Sequence, residues 1–281
     1  MAEERRKRTL RMVQCAVFLA MSFVVRIVEQ SFPITMGGVN FMKLGLSAPF
    51  TLMPAILFGP TYGLIAGALS DLMNLFIPNP VQWIPWLTLT AALKGWMVGL
   101  IWKWIKCADY KKVRRGMLVS FSAIGIMGFV NLIVSKFFVN TGYAQIILEL
   151  NSREKTIPNI TTYGFIISAL VVFALLFIAS KVEEGMGIYS QRRNINNIFL
   201  LFMAVLPASI IQTTLNTFIL RSMIAQHAEI AFMIYFIPRI AKTLIVGVIT
   251  VIIINDVLLL LYSKAYPDMY RESMCYNTSR Q

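Results

Sequence analysis

Two charged residues lie inside apolar runs that are long enough to cross a membrane. The runs are Leu44–Phe58, Tyr62–Ile77 and Trp86–Ile105, with Asp71 in the second and Lys94 in the third. A charge at the centre of a bilayer costs at least ~2.5–3.5 kcal/mol, so such residues are found where they have partners or a function. Either Asp71 pairs with Lys94 or with a cation of the last apolar run, or one of the two charges serves transport.

Further charges cluster near one end of the predicted spans. Arg26 and Glu29 end the first apolar run, whereas Arg239 and Lys242 open the last one. Cations exceed anions in this group, and an Arg fork can bind a carboxylate through two hydrogen bonds. The pattern predicts an outward-facing cavity for a small anionic ligand.

Aromatic and polar residues lie at the same height as these cations: Trp83, Trp86, Thr88, Asn216 and Thr217. The two tryptophans belong either to the cavity or to the aromatic belt at the membrane surface. Two residues are weaker candidates, because Lys136 can extend its ammonium group to the interface and His227 lies in a polar loop.

The composition is that of a membrane protein. Of the 281 residues, 57% are hydrophobic and only 14% are charged, and the mean hydropathy is +0.68. A soluble domain would carry roughly 25% charged residues. The net charge of +13 does not indicate nucleic-acid binding, because Lys and Arg cluster in short segments between apolar runs, as topology signals do.

The apolar runs predict an all-α, polytopic helix bundle with about eight transmembrane helices. The predicted spans are 12–28, 43–58, 61–77, 86–105, 117–139, 160–180, 198–220 and 237–262. They divide the chain into a basic cytoplasmic segment at 1–11, a membrane domain at 12–262 and a cytoplasmic tail at 263–281. With both termini inside, the inner segments carry seventeen Lys and Arg, and the outer segments carry four, as the positive-inside rule requires.

Signatures of catalysis are missing from the sequence. It contains no Gly-x-x-x-x-Gly-Lys-[Ser/Thr] loop for ATP phosphates and no His-Glu-x-x-His zinc motif. One His and three Cys have no spacing suited to a metal site, and Glu183 and Glu184 fall in a charged loop. We therefore expect neither an enzyme nor a bound metal or cofactor.

Small residues recur every four positions in three places. Gly59, Gly63 and Gly67 cross the turn between two spans, Gly95 and Gly99 lie in the next span, and Ala16 and Ala20 lie in the first. This spacing allows helix backbones to approach closely in lipid, and the predicted use of each pair is helix packing.

Several of these segments resemble one family, the substrate-binding (S) components of energy-coupling factor (ECF) transporters, and within it the folate-type group. The strongest match is PAILFGPTYGLIAGALSD at 54–71, followed by LTAALKG at 89–95. LNT at 215–217 and PRIAK at 238–242 resemble the last two helices of the family. Ala16 and Ala20 match the Ala-x-x-x-Ala site by which such helices dock the transmembrane coupling subunit.

The resemblance implies a six-helix core, and the surplus in this chain is a helical hairpin inserted at 117–180. It also implies a vitamin-binding cavity open to the outside of a bacterial cell membrane, and partners that consist of a coupling subunit and two ATPase subunits. Members are thought to topple in the membrane to release the vitamin.

On this hypothesis Arg26, Arg239 and Lys242 supply positive charge, Trp83 and Trp86 stack on the ring, and Asn216 donates or accepts a hydrogen bond. Asp71 and Lys94 are assigned as a structural charge pair between neighbouring helices. The ligand would be folate or a related anionic aromatic compound. Two alternatives stay open: a proton- or sodium-coupled secondary transporter that uses Asp71, and a non-transporting assembly or sensor protein.

Overall fold

The described part of the chain consists of six helices and one short pair of strands. The computed structural model describes residues 2–31, 34–36, 39–42, 45–77, 83–106, 192–223 and 232–264, with single helical positions at 126, 129, 130, 133 and 170. The elements are α1 (Ala2–Ser31), β1 (Ile34–Met36), β2 (Val39–Met42), α2 (Ala48–Phe58), α3 (Pro60–Leu72), a 3₁₀ turn (Met73–Phe76), α4 (Pro85–Ile105), α5 (Arg192–Met223) and α6 (Phe232–Lys264).

The prediction of an all-α membrane helix bundle is confirmed. Glu4–Glu29 and Leu200–Met223 are the described helical stretches that are long and apolar enough, by length and composition, to cross a membrane. Of the predicted spans at 117–139 and 160–180, only the single helical positions named above are described, whereas Lys136, His227 and the tail beyond 264 lie outside the described residues.

Between α1 and α2 the chain forms a short antiparallel hairpin where no strand was predicted. Ile34 pairs with Met42, Thr35 with Asn40, and Met36 with Val39. The predicted span at 43–58 is therefore shortened, and α2 begins only at Ala48.

Gly59 makes the sharp turn between α2 and α3. Its φ of +100° lies in the region that favours glycine. The Gly59 amide donates to the carbonyl of Ala55 at 3.1 Å and closes α2, while Pro60 opens α3 at its first position, where a missing N–H costs nothing. The turn sends α3 back along α2.

α3 and α4 pack backbone against backbone. A Cβ atom added to Gly63 would meet the carbonyl of Gly95, and one added to Gly95 would meet the carbonyl of Gly63. The prediction that these glycines mediate close helix packing is confirmed. Because no side chain separates the two helices here, the end of α3 and the start of α4 are held in a fixed position relative to each other.

The apolar core lies in the half of the bundle that contains the start of α1 and the end of α6. It is formed by α2, α4, α5 and α6, with the largest fully buried side chains at Met53, Ile56, Val98, Leu201, Phe202, Leu244 and Ile254. The opposite half gathers the end of α1, the start of α2, the end of α3, the start of α4, the later half of α5 and the first half of α6 around a cavity. α4 therefore ends, and α5 begins, on the same side of the bundle.

Candidate functional site

A cavity of about 670 Å³ opens between the six helices. Its volume lies within the range of roughly 300–1,000 Å³ that is typical of small-molecule sites. Among the residues that line it, four are cationic and two are acidic: Arg26, Lys94, Arg239 and Lys242 against Glu29 and Asp71. The described lining is therefore positively charged, as expected of a site for an anion.

The structure brings together most of the residues that the sequence singled out. Arg26, Trp83, Asn216, Arg239 and Lys242 all line the cavity, although they lie far apart in the chain. Trp83 is 49% exposed, as suits a residue at the mouth.

Trp86 lies elsewhere. It is 57% exposed and is not among the described residues that line the cavity. Its exposed position at the first turn of α4 is that of an aromatic residue at the membrane surface, which was the other possibility considered for it.

The guanidinium of Arg26 is held by the end of α3. One terminal nitrogen donates to the Ser70 carbonyl at 2.7 Å and to the Asn74 Oδ1 at 2.6 Å, and the other donates to the Ser70 Oγ at 3.0 Å. Carbonyls in the last turn of a helix lack an intrahelical donor, and a cation there interacts favourably with the helix dipole. Arg26 therefore fixes the cavity wall as well as contributing charge to it.

Glu29, one turn further along α1, binds the start of a helix, whereas Arg26 binds the end of one. Its carboxylate accepts hydrogen bonds from the Leu46 amide and from the Ser47 hydroxyl, the latter at 3.3 Å. These residues directly precede α2, whose own N-cap residue makes no side-chain cap. An acidic group at a helix N-terminus satisfies free amides and suits the dipole.

Asp71 is bound by neutral donors. Thr88 Oγ1 donates to Asp71 Oδ2 at 2.7 Å, and Asn74 Nδ2 donates to Oδ1 at 3.3 Å. Thr88 in turn accepts from the indole N–H of Trp83 at 3.0 Å. The predicted ion pair between Asp71 and Lys94 is not among the contacts of the described residues, because a hydroxyl and an amide bind the carboxylate instead.

Lys94 is a partly buried cation of the cavity wall. Within the described ranges, no hydrogen bond or ion pair engages its ammonium group. Its charged neighbour is Arg26, which repels it. Arg239 and Lys242 differ in that both have interactions with other groups.

Asn216, Arg239 and Lys242 were predicted from the sequence, but the rest of the polar stripe to which they belong on α5 and α6 was missed. Ser209, Gln212, Thr213 and Asn216 line the cavity from α5, and Arg239, Lys242, Thr243 and Thr250 line it from α6. The α5 set follows the i, i+3, i+4, i+7 spacing of one helix face, and the α6 set follows i, i+3, i+4, i+11, which also keeps to one face, on helices that are rich in apolar residues. That periodicity was visible in the sequence and could have located the whole wall.

Hydroxyl and amide contacts hold these helices together at the cavity. Thr213 and Thr243 share a hydrogen bond of 2.8 Å between α5 and α6, and Thr90 of α4 donates to the side-chain oxygen of Asn216 on α5. Asn216 is therefore fixed in position where it faces the cavity. In the described segments no three His, Cys, Asp or Glu residues come together as a metal site requires.

Ala16 and Ala20 lie on the exposed face of α1 and are not among the described residues that line the cavity. Exposed apolar side chains surround them, including Val13, Val17 and Val24. The opposite face carries Cys15, Phe18, Leu19 and Ser22, which are buried against the bundle. The Ala pair is thus accessible to lipid or to a partner helix.

Comparison with known proteins agrees with this architecture. The sequence profile of the family described as "ECF-type riboflavin transporter, S component" matches residues 6–181, more than half of the chain. The chain belongs to this family. As an S component it is a membrane-embedded part of a transporter, and its family is not one of enzymes. No curated protein and no solved structure matches the chain.

The identification of an S component from motifs is thereby confirmed. The folate-type assignment stays a prediction, because the family description names riboflavin. The matched range includes the segment 117–180 that was interpreted as an inserted hairpin, and that interpretation also stays a prediction.

Proposed function

We propose that this S component captures a small aromatic vitamin with an anionic group, such as folate or a charged flavin, for import across a bacterial cell membrane. The observation that carries the proposal is the cationic cavity of about 670 Å³ within a bundle of this family. ATP hydrolysis would be performed by two ATPase subunits, joined to the S component through a transmembrane coupling subunit.

The direction of the cavity supports capture from outside. α1 begins, and α6 ends, at the end of the bundle that is remote from the cavity. The positive-inside pattern assigns both termini to the cytoplasm, so the cavity would open on the outer face.

The proposed roles follow from what each side chain already binds. Trp83 lies at the mouth and would stack on the vitamin ring, while the fixed amide of Asn216 would hydrogen bond to it. Arg239 and Lys242 would attract the anionic group. Arg26 contributes positive potential while three of its N–H contacts go to the end of α3, and Trp86 is assigned to the membrane surface.

Purification from cells grown with vitamins, followed by mass spectrometry of the released ligand, tests the proposal directly. We expect a folate or flavin in about equal amount to the protein. A purified protein that carries no vitamin, and that binds none on addition, contradicts the proposal.

Reconstituted vesicles separate the alternatives. An S component takes up the vitamin only when the coupling and ATPase subunits are also present and ATP is supplied. Uptake by the chain alone, abolished in Asp71→Asn and independent of ATP, would indicate a secondary transporter instead. Cross-links from 117–180 to an unrelated membrane protein, without vitamin binding, would indicate an assembly or sensor protein.

A further inference from the structure

Lys94 differs from the other cations of the cavity in having no anion or acceptor in the described protein. Arg26 donates to Ser70 and Asn74, and Arg239 and Lys242 have interactions of their own. Lys94 lines the cavity but is engaged by none of the described groups. A cation placed within a membrane protein without a counter-group is costly and therefore points to a function.

The two carboxylates of the described cavity lining are already occupied. Asp71 accepts from Thr88 and Asn74, and Glu29 accepts from the residues that precede α2. Moving Glu29 to Lys94 would break its contacts at the start of α2. Moving Asp71 would break its contact with Thr88, which binds Trp83. An anion that enters the cavity from outside would leave both sets of contacts intact and would supply the counter-charge that the described groups do not.

We propose that Lys94 binds the anionic group, a carboxylate or a phosphate, of the captured vitamin. The proposal rests on the proposed function and reverses the structural role that the sequence suggested for this residue. Lys94 makes a flexible point-charge contact with three donors, suited to either anion. The ligand-free S component then carries an uncompensated charge that ligand binding neutralises, and charged vitamins are selected over neutral analogues.

The first test measures the stability of the ligand-free protein. Lys94→Met removes the charge and keeps an apolar chain of similar length, so we expect a Tm in detergent equal to wild type or a few degrees higher. Lys103→Met is the matched control, because Lys103 lies exposed in the last turn of the same helix. A Tm several degrees below wild type for Lys94→Met, or an equal rise in both variants, overturns the proposal.

The second test compares pairs of ligands that differ in charge. Riboflavin is compared with riboflavin 5′-phosphate, and folate with its dimethyl ester, by titration calorimetry. We expect wild type to bind the charged member of one pair at least tenfold more tightly, Lys94→Met to lose most of that preference, and Lys94→Arg to keep it. The pair that shows the effect identifies phosphate or carboxylate as the group bound.

The results distinguish failure of this inference from failure of the proposed function. If the Lys94→Met variant keeps the preference for the charged ligand, or binds charged and neutral ligands with equally reduced affinity, the role of Lys94 is overturned while vitamin capture stands. If the wild-type protein binds none of the four ligands, vitamin capture is overturned, and the vitamin's anionic group as the partner of Lys94 is overturned with it. The Tm comparison still decides whether Lys94 has a partner within the protein.

Discussion

The hydroxyl of Thr88 joins Trp83 to Asp71. It accepts from the indole N–H at 3.0 Å and donates to the carboxylate at 2.7 Å. A single side chain at the start of α4 thus ties the aromatic residue at the cavity mouth to a charge on α3. Since Asp71 also accepts from Asn74, and Asn74 accepts from Arg26, the mouth is connected by hydrogen bonds to the cationic wall.

Thr88→Val should weaken ligand binding with little change in shape. Valine matches threonine in volume but removes both hydrogen bonds, each worth ~0.5–1.5 kcal/mol and more where a charged group takes part. If Trp83 contacts the vitamin, the affinity falls about tenfold, since 1.4 kcal/mol corresponds to that factor. Calorimetry measures the affinity, and Thr61→Val on the exposed side of α3 is the control. Unchanged affinity would show that Trp83 takes no part in binding.

Arg26→Met should destabilise the protein strongly, in contrast to Lys94→Met. The substitution leaves the Ser70 carbonyl and the Asn74 amide oxygen without their donor. Leaving a buried acceptor without its donor costs about 1–3 kcal/mol, and this substitution affects both of these acceptors. Thermal unfolding in detergent should show a large fall in Tm, with Arg8→Met on the exposed start of α1 unchanged. A mild effect at position 26 is incompatible with the role of Arg26 in closing α3.

Gly95→Ala should separate α3 from α4. The added methyl group meets the backbone carbonyl of Gly63, which cannot move as a flexible side chain can. Overpacking of this kind costs about 1–3 kcal/mol, and we expect a value near the upper limit together with a low yield of folded protein. Gly247→Ala is the control, because its nearest atom is a side-chain carbon of Leu206 at 3.2 Å. Equal stability of the two variants would contradict the close packing of α3 on α4.

Ala16→Leu and Ala20→Leu should abolish assembly without affecting vitamin binding. Both positions lie exposed on α1 and outside the described lining of the cavity, so the larger side chains block a close helix approach and leave the bundle intact. Co-purification of the ATPase subunits should fall at least about tenfold, on the scale at which a loss of 1.4 kcal/mol acts. Val17→Leu, a substitution on the same exposed face that removes no small residue, should assemble normally. Normal assembly of the Ala variants would place the coupling contact elsewhere.

The bundle was predictable because its determinants are local. Apolar runs, the Gly59-Pro60 turn and the glycine spacing on α3 and α4 each follow from a short stretch of sequence, and the structure has them close to where they were expected. The hairpin after α1 was missed, although Gly37 and Gly38 separate two short segments in the manner of a tight turn. Its strands have only three and four residues, which is too short for an alternating pattern to be recognised between two long apolar runs.

The partners of the charges were not predictable, because they depend on which helix ends meet. Arg26 was predicted to supply positive charge to a ligand, and it also binds the end of α3 through the carbonyl of Ser70, forty-four positions along the chain. Asp71 and Lys94 were expected to pair, yet a hydroxyl donor seventeen positions away binds the carboxylate. Opposite charges in a sequence predict an ion pair, but the carbonyls of a helix end and nearby hydroxyl groups can bind the same charged side chains instead.

Arg26 and Glu29, three residues apart on α1, are anchored to two different helices, the end of α3 and the start of α2. A shift of α1 along its axis by even one residue would detach both anchors at once. The first three helices are consequently linked to one another, and the close contact of Gly63 with Gly95 adds α4. We therefore expect any widening of the cavity in the proposed release step to come from displacement of α6 together with α5, which Thr213 and Thr243 join. Distance labels placed on α6 and α2 would report that step, whereas labels on α1 and α3 would stay at constant separation.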